Sequence, residues 1–164
     1  MTEQDLNYLK RCVELARTAL ELGDEPFGSV LVDAKGKLLF EDHNRVGSGD
    51  KTRHPEFEIA RWAANNMTPA ERAKATVYTS TEHCPMCAAA HGWVGLGKVV
   101  YISSSVQLAN WIRDLGVSAS PVQPLAITEV VPGLEVTGPV PQLIEEVHAL
   151  HKRFHTNKTT SVNV

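Results

Sequence analysis

The chain has 164 residues, enough for one domain core but too few for two of ordinary size. Hydrophobic residues make up 43% of it and charged residues 21%, a balance that excludes intrinsic disorder. The formal net charge is −3, which disfavours a protein that binds nucleic-acid phosphates, since such domains usually carry a strong basic excess.

The first part of the chain predicts two helices that flank a pair of strands. Apolar residues recur at helical spacing from Leu6 to Leu20, and Gly23 follows as a helix terminator. In chain order, the predicted elements are a helix at 3–22, strands at 28–33 and 37–41, a polar loop at 43–53 and a helix at 55–66.

The second part of the chain continues the alternation of strands and helices. The predicted elements are a strand at 76–80, a helix at 84–95, a strand at 98–103, a helix at 106–115, a strand at 125–130 and a helix at 143–154. Prolines and glycines make 116–141 the loosest region. The alternation indicates an α/β fold. We expect one domain at 1–155 and a flexible tail at 156–164.

The cysteine count suggests the compartment. Three cysteines, of which Cys84 and Cys87 are three residues apart, disfavour a secreted disulfide scaffold and indicate metal binding or thiol chemistry. Charged residues interrupt the first twenty positions, where a signal peptide needs an apolar run. No stretch of eighteen apolar residues could span a membrane. We therefore expect a cytoplasmic protein without a membrane segment, and we expect Cys12 to be a core residue.

Two short clusters contain side chains that bind metals. His54-Pro55-Glu56 precedes Cys84-Pro85-Met86-Cys87 by about thirty residues. Zinc accepts imidazole and thiolate ligands, and a catalytic zinc needs three protein ligands with a fourth position left for water. His54, Cys84 and Cys87 supply that set. Glu56 is then the natural proton carrier and not a fourth ligand.

The prolines in both clusters predict where these residues lie. Proline favours the first position of a helix, so His54 and Cys84 are each expected to cap a helix N-terminus. The free N–H groups and positive dipole ends there stabilise thiolates. Two such ends that face each other would form a compact electropositive metal pocket.

The order H-x-E followed by C-x-x-C is similar to the signature of zinc-dependent base and nucleoside deaminases. The chain resembles the cytidine deaminase superfamily, in particular its branch of guanine deaminases and tRNA adenosine deaminases. The matching segments, in order within about residues 5–115, are PFGSVLV at 26–32, HNR at 43–45, TEHCPMCA at 81–88 and KVVY at 98–101. Two departures are His83, where the family usually has proline, and the segment after residue 103.

The resemblance implies a fold, an assembly and further site residues. The family fold is a three-layer α/β/α sandwich with a mixed sheet of about five strands, and its members form homodimers or tetramers. The resemblance places Ser29, in the first strand motif, among the substrate-binding residues, with Asn44 on the amide-like edge of the substrate and Phe27 beside its ring. It places Trp93 as a stacking residue and Glu82 opposite ring N–H donors.

The resemblance also implies the reaction. Bound zinc would lower the pKa of its water from 15.7 toward about 7, and this water would attack the carbon that bears the exocyclic amine. Glu56 would take the proton of this water, deliver it to a ring nitrogen and then protonate the departing ammonia.

The substrate is a choice between a free heterocycle and a base within RNA. The scattered positive charges and the net charge of −3 make nucleic acid the weaker choice, so we expect a small nucleobase-like substrate. Guanine is the favoured substrate because Trp93 matches an aromatic position of the guanine deaminase branch, and cytosine or an aminotriazine is possible. The alternatives are a tRNA adenosine deaminase or a nucleoside deaminase. His155 would approach the site if the last helix folds over it.

Two other interpretations of the cysteines stay open. The sequence C-P-M-C also resembles a thioredoxin-type redox site, but that interpretation leaves His54 and Glu56 unused. A non-enzymatic module could instead use a structural zinc, with His83 or His91 completing the ligands. The spacing from Cys87 to His91 is shorter than a zinc finger requires.

Overall fold

The computed structural model describes residues 1–161, and side chains as far as Thr156. The helices are α1 (Glu3–Glu21), α2 (Pro55–Asn66), α3 (Pro69–Arg72), α4 (Pro85–Val94), α5 (Ser105–Asp114), α6 (Ile127–Val130) and α7 (Pro141–Ser161), with a 3-10 turn at Val46–Ser48. The strands are β1 (Gly28–Val32), β2 (Leu38–His43), β3 (Thr76–Thr81), β4 (Lys98–Ser103) and β5 (Val136–Thr137). None of the described helices is long and apolar enough to cross a membrane.

The strands form one mixed sheet in the order β2-β1-β3-β4-β5. Strand β1 runs antiparallel to both β2 and β3, whereas β3, β4 and β5 are parallel. The register places Ser29 opposite Thr79 and Thr79 opposite Tyr101. Ser29 and Thr79 are therefore neighbours on one face of the sheet.

Helices cover both faces of the sheet. Helices α1 and α7 pack on one face against alternate strand residues such as Val30 and Ile102, and α2 and α4 pack on the other against residues such as Leu31 and Val99. Strand β1 is buried along its whole length, as expected for a strand covered on both sides. The predicted α/β/α sandwich with a mixed five-stranded sheet is confirmed.

Local signals define the two helices that carry the metal-binding motifs. Helix α2 begins at Pro55 and α4 at Pro85, with His54 and Cys84 as their N-caps, as predicted. Helix α4 ends at Gly95, which has a φ of 73° that a residue with a Cβ adopts only with strain. Cys12 is buried in the core, also as predicted.

The predicted strand at 125–130 is wrong. The chain forms the short helix α6 there, because its first free N–H, on Ile127, donates to the buried Glu82 carboxylate. That contact is tertiary and leaves no local signal. The fifth strand is the two-residue β5, and the short helix α3 was not predicted.

The last helix is longer than predicted. Helix α7 runs from Pro141 to Ser161, so the expected tail at 156–164 overlaps its final turns. Residues 162–164 lie outside the described residues.

Candidate metal centre

Three donor atoms meet where α2 and α4 begin. His54 Nδ1 lies 3.6 Å from Cys84 Sγ and 3.6 Å from Cys87 Sγ, and the two sulfurs are 3.6 Å apart. Tetrahedral zinc, with bonds of about 2.3 Å to sulfur and about 2.0–2.1 Å to nitrogen, separates its ligand atoms by about 3.6–3.8 Å. The donor types and their spacing therefore fit zinc, with one coordination position left open.

The helix starts present these donors without competing contacts. His54 and Cys84 are N-caps whose side chains make no capping hydrogen bond, unlike the N-cap Ser104 of α5, whose hydroxyl accepts from Gln107 N–H. Contact with the Cys87 sulfur lowers the pKa of the Cys84 thiol to about 4, and the His54 imidazole acts in the same direction against the effect of burial. The site is thus prepared to hold a thiolate, the form that binds metal.

Glu56 lies beside the donors and is almost fully buried, with 5% of its surface exposed. Its Oε1 accepts hydrogen bonds from the Ser29 hydroxyl at 2.9 Å and from the Thr79 hydroxyl at 2.8 Å. Burial raises the pKa of the Glu56 carboxyl. A carboxyl in this setting can hold a proton closer to neutral pH than an exposed glutamate can.

Sequence reasoning missed Thr79 and placed Ser29 in the wrong surroundings. Ser29 was expected among the substrate-binding residues, but its hydroxyl contacts Glu56 and Thr79, and it does not line the cavity. The signal that links the two hydroxyls to Glu56 is the pairing of β1 with β3, which a single sequence does not reveal.

Phe27 and Asn44 lie close together, but Asn44 is not among the residues that line the cavity. Phe27 lines the cavity and stacks on the His54 ring at 6.5 Å between centroids. Asn44 is fully buried, and its backbone N–H donates to the Phe27 carbonyl. Its Oδ1 accepts from Val46 N–H, whereas its Nδ2 has no partner among the described residues. That amide is an unused buried donor next to the site.

Glu82 lines the cavity but already has protein partners. One of its carboxylate oxygens accepts from Ser105 N–H and the other from Ile127 N–H, each at 2.9 Å. Glu82 therefore ties the first N–H groups of α5 and α6 to the end of β3. Any contact with a ring N–H would use the lone pairs that these bonds leave free.

Trp93 is not brought to the cavity. It lies nine residues beyond Cys84 on α4, about 13 Å along the helix axis, and its side chain is 92% exposed. The expectation that it stacks on a substrate in the same pocket, and the preference for guanine drawn from it, therefore lose their structural basis within the described chain.

The histidines occupy different surroundings. His83 is buried edge-on against His91, with ring centroids 5.2 Å apart, and neither residue belongs to the group of metal donors. His151 of α7 lies beside the cavity residue Phe27, with ring centroids 4.9 Å apart. Within the described chain the group that could hold a metal ion is His54, Cys84 and Cys87, and it includes neither His83 nor His91, which weighs against the structural-zinc alternative.

A cavity of about 460 Å³ is lined by His54, Cys84 and Glu56, whereas Cys87 is fully buried behind it. Its far wall is formed by Leu108, Ala109 and Ile112 of α5 and by Val117 and Val122 of the segment that follows. The apolar periodicity of α5 predicted the helix but gave no indication that this face lines a pocket.

Comparisons with known proteins identify one family. Residues 2–103 match the family model described as the cytidine and deoxycytidylate deaminase zinc-binding region. A probable cytosine deaminase of Schizosaccharomyces pombe is 33% identical over 71% of this chain and 70% of its own length. A guanine deaminase of Bacillus subtilis is 34% identical over 63% of this chain and 67% of its own length. A tRNA-specific adenosine deaminase of Haemophilus influenzae is 34% identical over 54% of this chain and 52% of its own length.

A solved structure shares the fold. The guanine deaminase from Nitrosomonas europaea superposes with a TM-score of 0.71 at 20% identity, over 94% of this chain and 85% of that chain.

Proposed function

Since the chain belongs to the zinc-binding cytidine and deoxycytidylate deaminase family and is a hydrolytic deaminase, we propose that it removes the exocyclic amino group of a free nucleobase or a related amino-heterocycle. The observation that carries this proposal is the cavity over the metal centre. The one Lys or Arg among its described lining residues is Arg113, which pairs with Asp114. A substrate held through several phosphates would need more cations than this.

The proposed ligands are His54, Cys84 and Cys87. A zinc ion bound there supplies a Lewis acid that lowers the pKa of a bound water from 15.7 to about 7. The three ligands leave the fourth position for that water.

Glu56 is the proposed catalytic residue. Ser29 and Thr79 both bond to Oε1, which leaves Oε2 without a side-chain hydrogen bond among the described residues. At Oε2 the carboxylate would accept one proton of the attacking water and deliver it to a ring nitrogen of the substrate. It would then accept the second proton, from the new hydroxyl on the attacked carbon, and deliver it to the departing amine. Burial raises the pKa of this carboxyl, whereas a cation held at His54, Cys84 and Cys87 would lower it, so the role rests on the position of Oε2.

Asn44 and Phe27 are the proposed substrate-orienting residues. The unused Nδ2 of Asn44 would donate to a ring carbonyl, and Phe27 would cover one face of the ring. Glu82 would hold the pocket wall in place through its bonds to Ser105 and Ile127.

A tRNA adenosine is the second candidate substrate, because tRNA-specific deaminases are similar to this chain at comparable identity. The scarcity of cations at the cavity favours the free base over the tRNA.

We extend the proposal to a homodimer. The 92% exposed Trp93 leaves one large aromatic side chain uncovered on α4, and a second subunit could cover it. Sedimentation of the wild type and Trp93→Ala tests this. A monomeric wild-type chain contradicts it.

The decisive experiment is an ammonia-release screen of the zinc-loaded protein. The panel contains free bases, nucleosides, aminotriazines and tRNA. We expect turnover of at least one free base or heterocycle. Activity on tRNA alone would overturn the free-base proposal, and activity on nucleosides alone would move the substrate class to nucleosides.

A further inference from the structure

The far wall of the cavity, defined here as Leu108, Ala109, Ile112, Val117 and Val122, is aliphatic. Leu108 and Ile112 are four residues apart on α5, so they share one helix face. Val122 remains 49% exposed, and Leu108 and Ile112 are half-buried. The fold thus leaves an apolar surface in the same cavity that His54, Cys84 and Glu56 line.

The cavity is larger than a bare base needs. Its volume of about 460 Å³ corresponds to roughly fifteen water molecules at about 30 Å³ each. Cytosine and guanine have fewer non-hydrogen atoms than that, and a bonded ring atom takes less room than a water molecule. A bare base at Glu56 would leave water against the aliphatic wall.

Polar groups near the wall are few and are partly engaged. The Ser120 hydroxyl accepts from Val122 N–H, and both carboxylate oxygens of Glu82 accept backbone N–H groups. Arg113 pairs with Asp114, and Gln123 is exposed to solvent. A ribose or a phosphate at the wall would lose water contacts that these side chains replace poorly.

We propose that the far wall is a subsite for an apolar substituent, so that the substrate is an amino-heterocycle bearing an alkyl or aryl group. This inference rests on the proposed function, since the amino-bearing end of the ring must lie at Glu56 and the metal donors. Each methylene buried on the wall is worth about a fourfold gain in kcat/KM, from about 0.8 kcal/mol per methylene.

The test compares matched substrates with the zinc-loaded protein. Cytosine is compared with its N1-butyl and C5-butyl derivatives, guanine with its N9-butyl and C8-butyl derivatives, and each base with its ribonucleoside. We expect at least one butyl compound to exceed its bare base by about tenfold or more in kcat/KM, and its ribonucleoside by a larger factor.

The outcomes separate the two proposals. If a bare base is deaminated and no butyl derivative exceeds it, the subsite inference is wrong and the proposed function stands. If a ribonucleoside exceeds the butyl compounds, the wall binds sugar and the inference is wrong. If nothing in the series is deaminated, the subsite inference is overturned, and the proposed function falls with it when the aminotriazines of the ammonia-release screen are also left unchanged.

Two variants locate the effect. Ile112→Ser and Val122→Ser should each lower the ratio of butyl-substrate to bare-base kcat/KM by about tenfold. Val106→Ser is the control, because Val106 lies on the same helix, is 56% exposed and does not line the cavity. A ratio that is unchanged in both wall variants would place the preference elsewhere and overturn the assignment.

Discussion

The Thr79 hydroxyl lies 2.8 Å from Oε1 of Glu56, across from the Ser29 hydroxyl on the neighbouring strand. Glu56 belongs to α2, whereas the two hydroxyls belong to the sheet. The orientation of the carboxylate therefore depends on how α2 packs on β1 and β3. Thr79 is, on this geometry, a positioning residue for the proposed proton carrier.

Replacing Thr79 tests that relationship. Thr79→Val removes the donor at nearly constant volume, so we expect kcat to fall about 10- to 100-fold, with a much smaller change in KM. Losing a hydrogen bond to the charged carboxylate raises its pKa, so the acidic limb of the pH–rate profile should move to higher pH. Thr79→Ser keeps the hydroxyl and is the matched control. Equal losses of kcat in both variants would contradict the positioning role.

Glu56→Gln separates the proton carrier from the metal centre. The amide oxygen can still accept from Ser29 and Thr79, so folding and zinc content should stay near the wild-type values. Deaminase activity should fall by at least about 10²–10⁴-fold, the range usual for a general acid–base residue. Ammonia release and zinc stoichiometry, measured on one preparation, check the prediction. Retained activity would remove Glu56 from the mechanism, and lost zinc would make it a ligand.

Cys84→Ser should abolish stoichiometric zinc binding, because serine is a far poorer zinc ligand than a thiolate. Removal of zinc from the wild type with a chelator should abolish activity and lower Tm. Cys12→Ala is the control, since Cys12 is buried in the core away from the donors. If zinc stoichiometry depends equally on Cys12, the proposed ligand set is wrong.

His151 should make the fold sensitive to mild acid. Burial, together with the neighbouring His155 and His148, lowers its pKa from 6.5 to about 3. As pH falls below 6.5, the unfolded chain takes up a proton that the folded chain refuses until about pH 3, so stability is lost through that window. This effect lowers the free energy of unfolding at pH 5 by about 2 kcal/mol relative to pH 7.

Urea unfolding of the wild type and His151→Gln at pH 7 and pH 5 measures this effect. The variant lacks the titrating group, so its free energy of unfolding should fall by about 2 kcal/mol less than that of the wild type. An equal fall in both proteins would mean that His151 is not held neutral in the fold.

The sequence was most informative where signals were local. Proline after His54 and Cys84 gave the helix starts, and the ligand spacing gave the donor set. Thr79 could not be found, because its role depends on the register between two strands fifty residues apart. The sequence predicted a strand in place of helix α6. The contact that holds the N-terminus of α6 comes from Glu82, forty-five residues away, and leaves no local signal.

The two backbone contacts of Glu82 also bear on how such enzymes diversify. The backbone N–H groups of Ser105 and Ile127 both donate to this carboxylate, and the residues of the far wall lie between them in the sequence. The two ends of the intervening segment thus meet at one carboxylate, two residues before Cys84. Doubling the length of a flexible loop costs only about 0.6 kcal/mol in closure entropy. The length and the sequence of the pocket wall can therefore change during evolution while the proposed zinc ligands keep their positions.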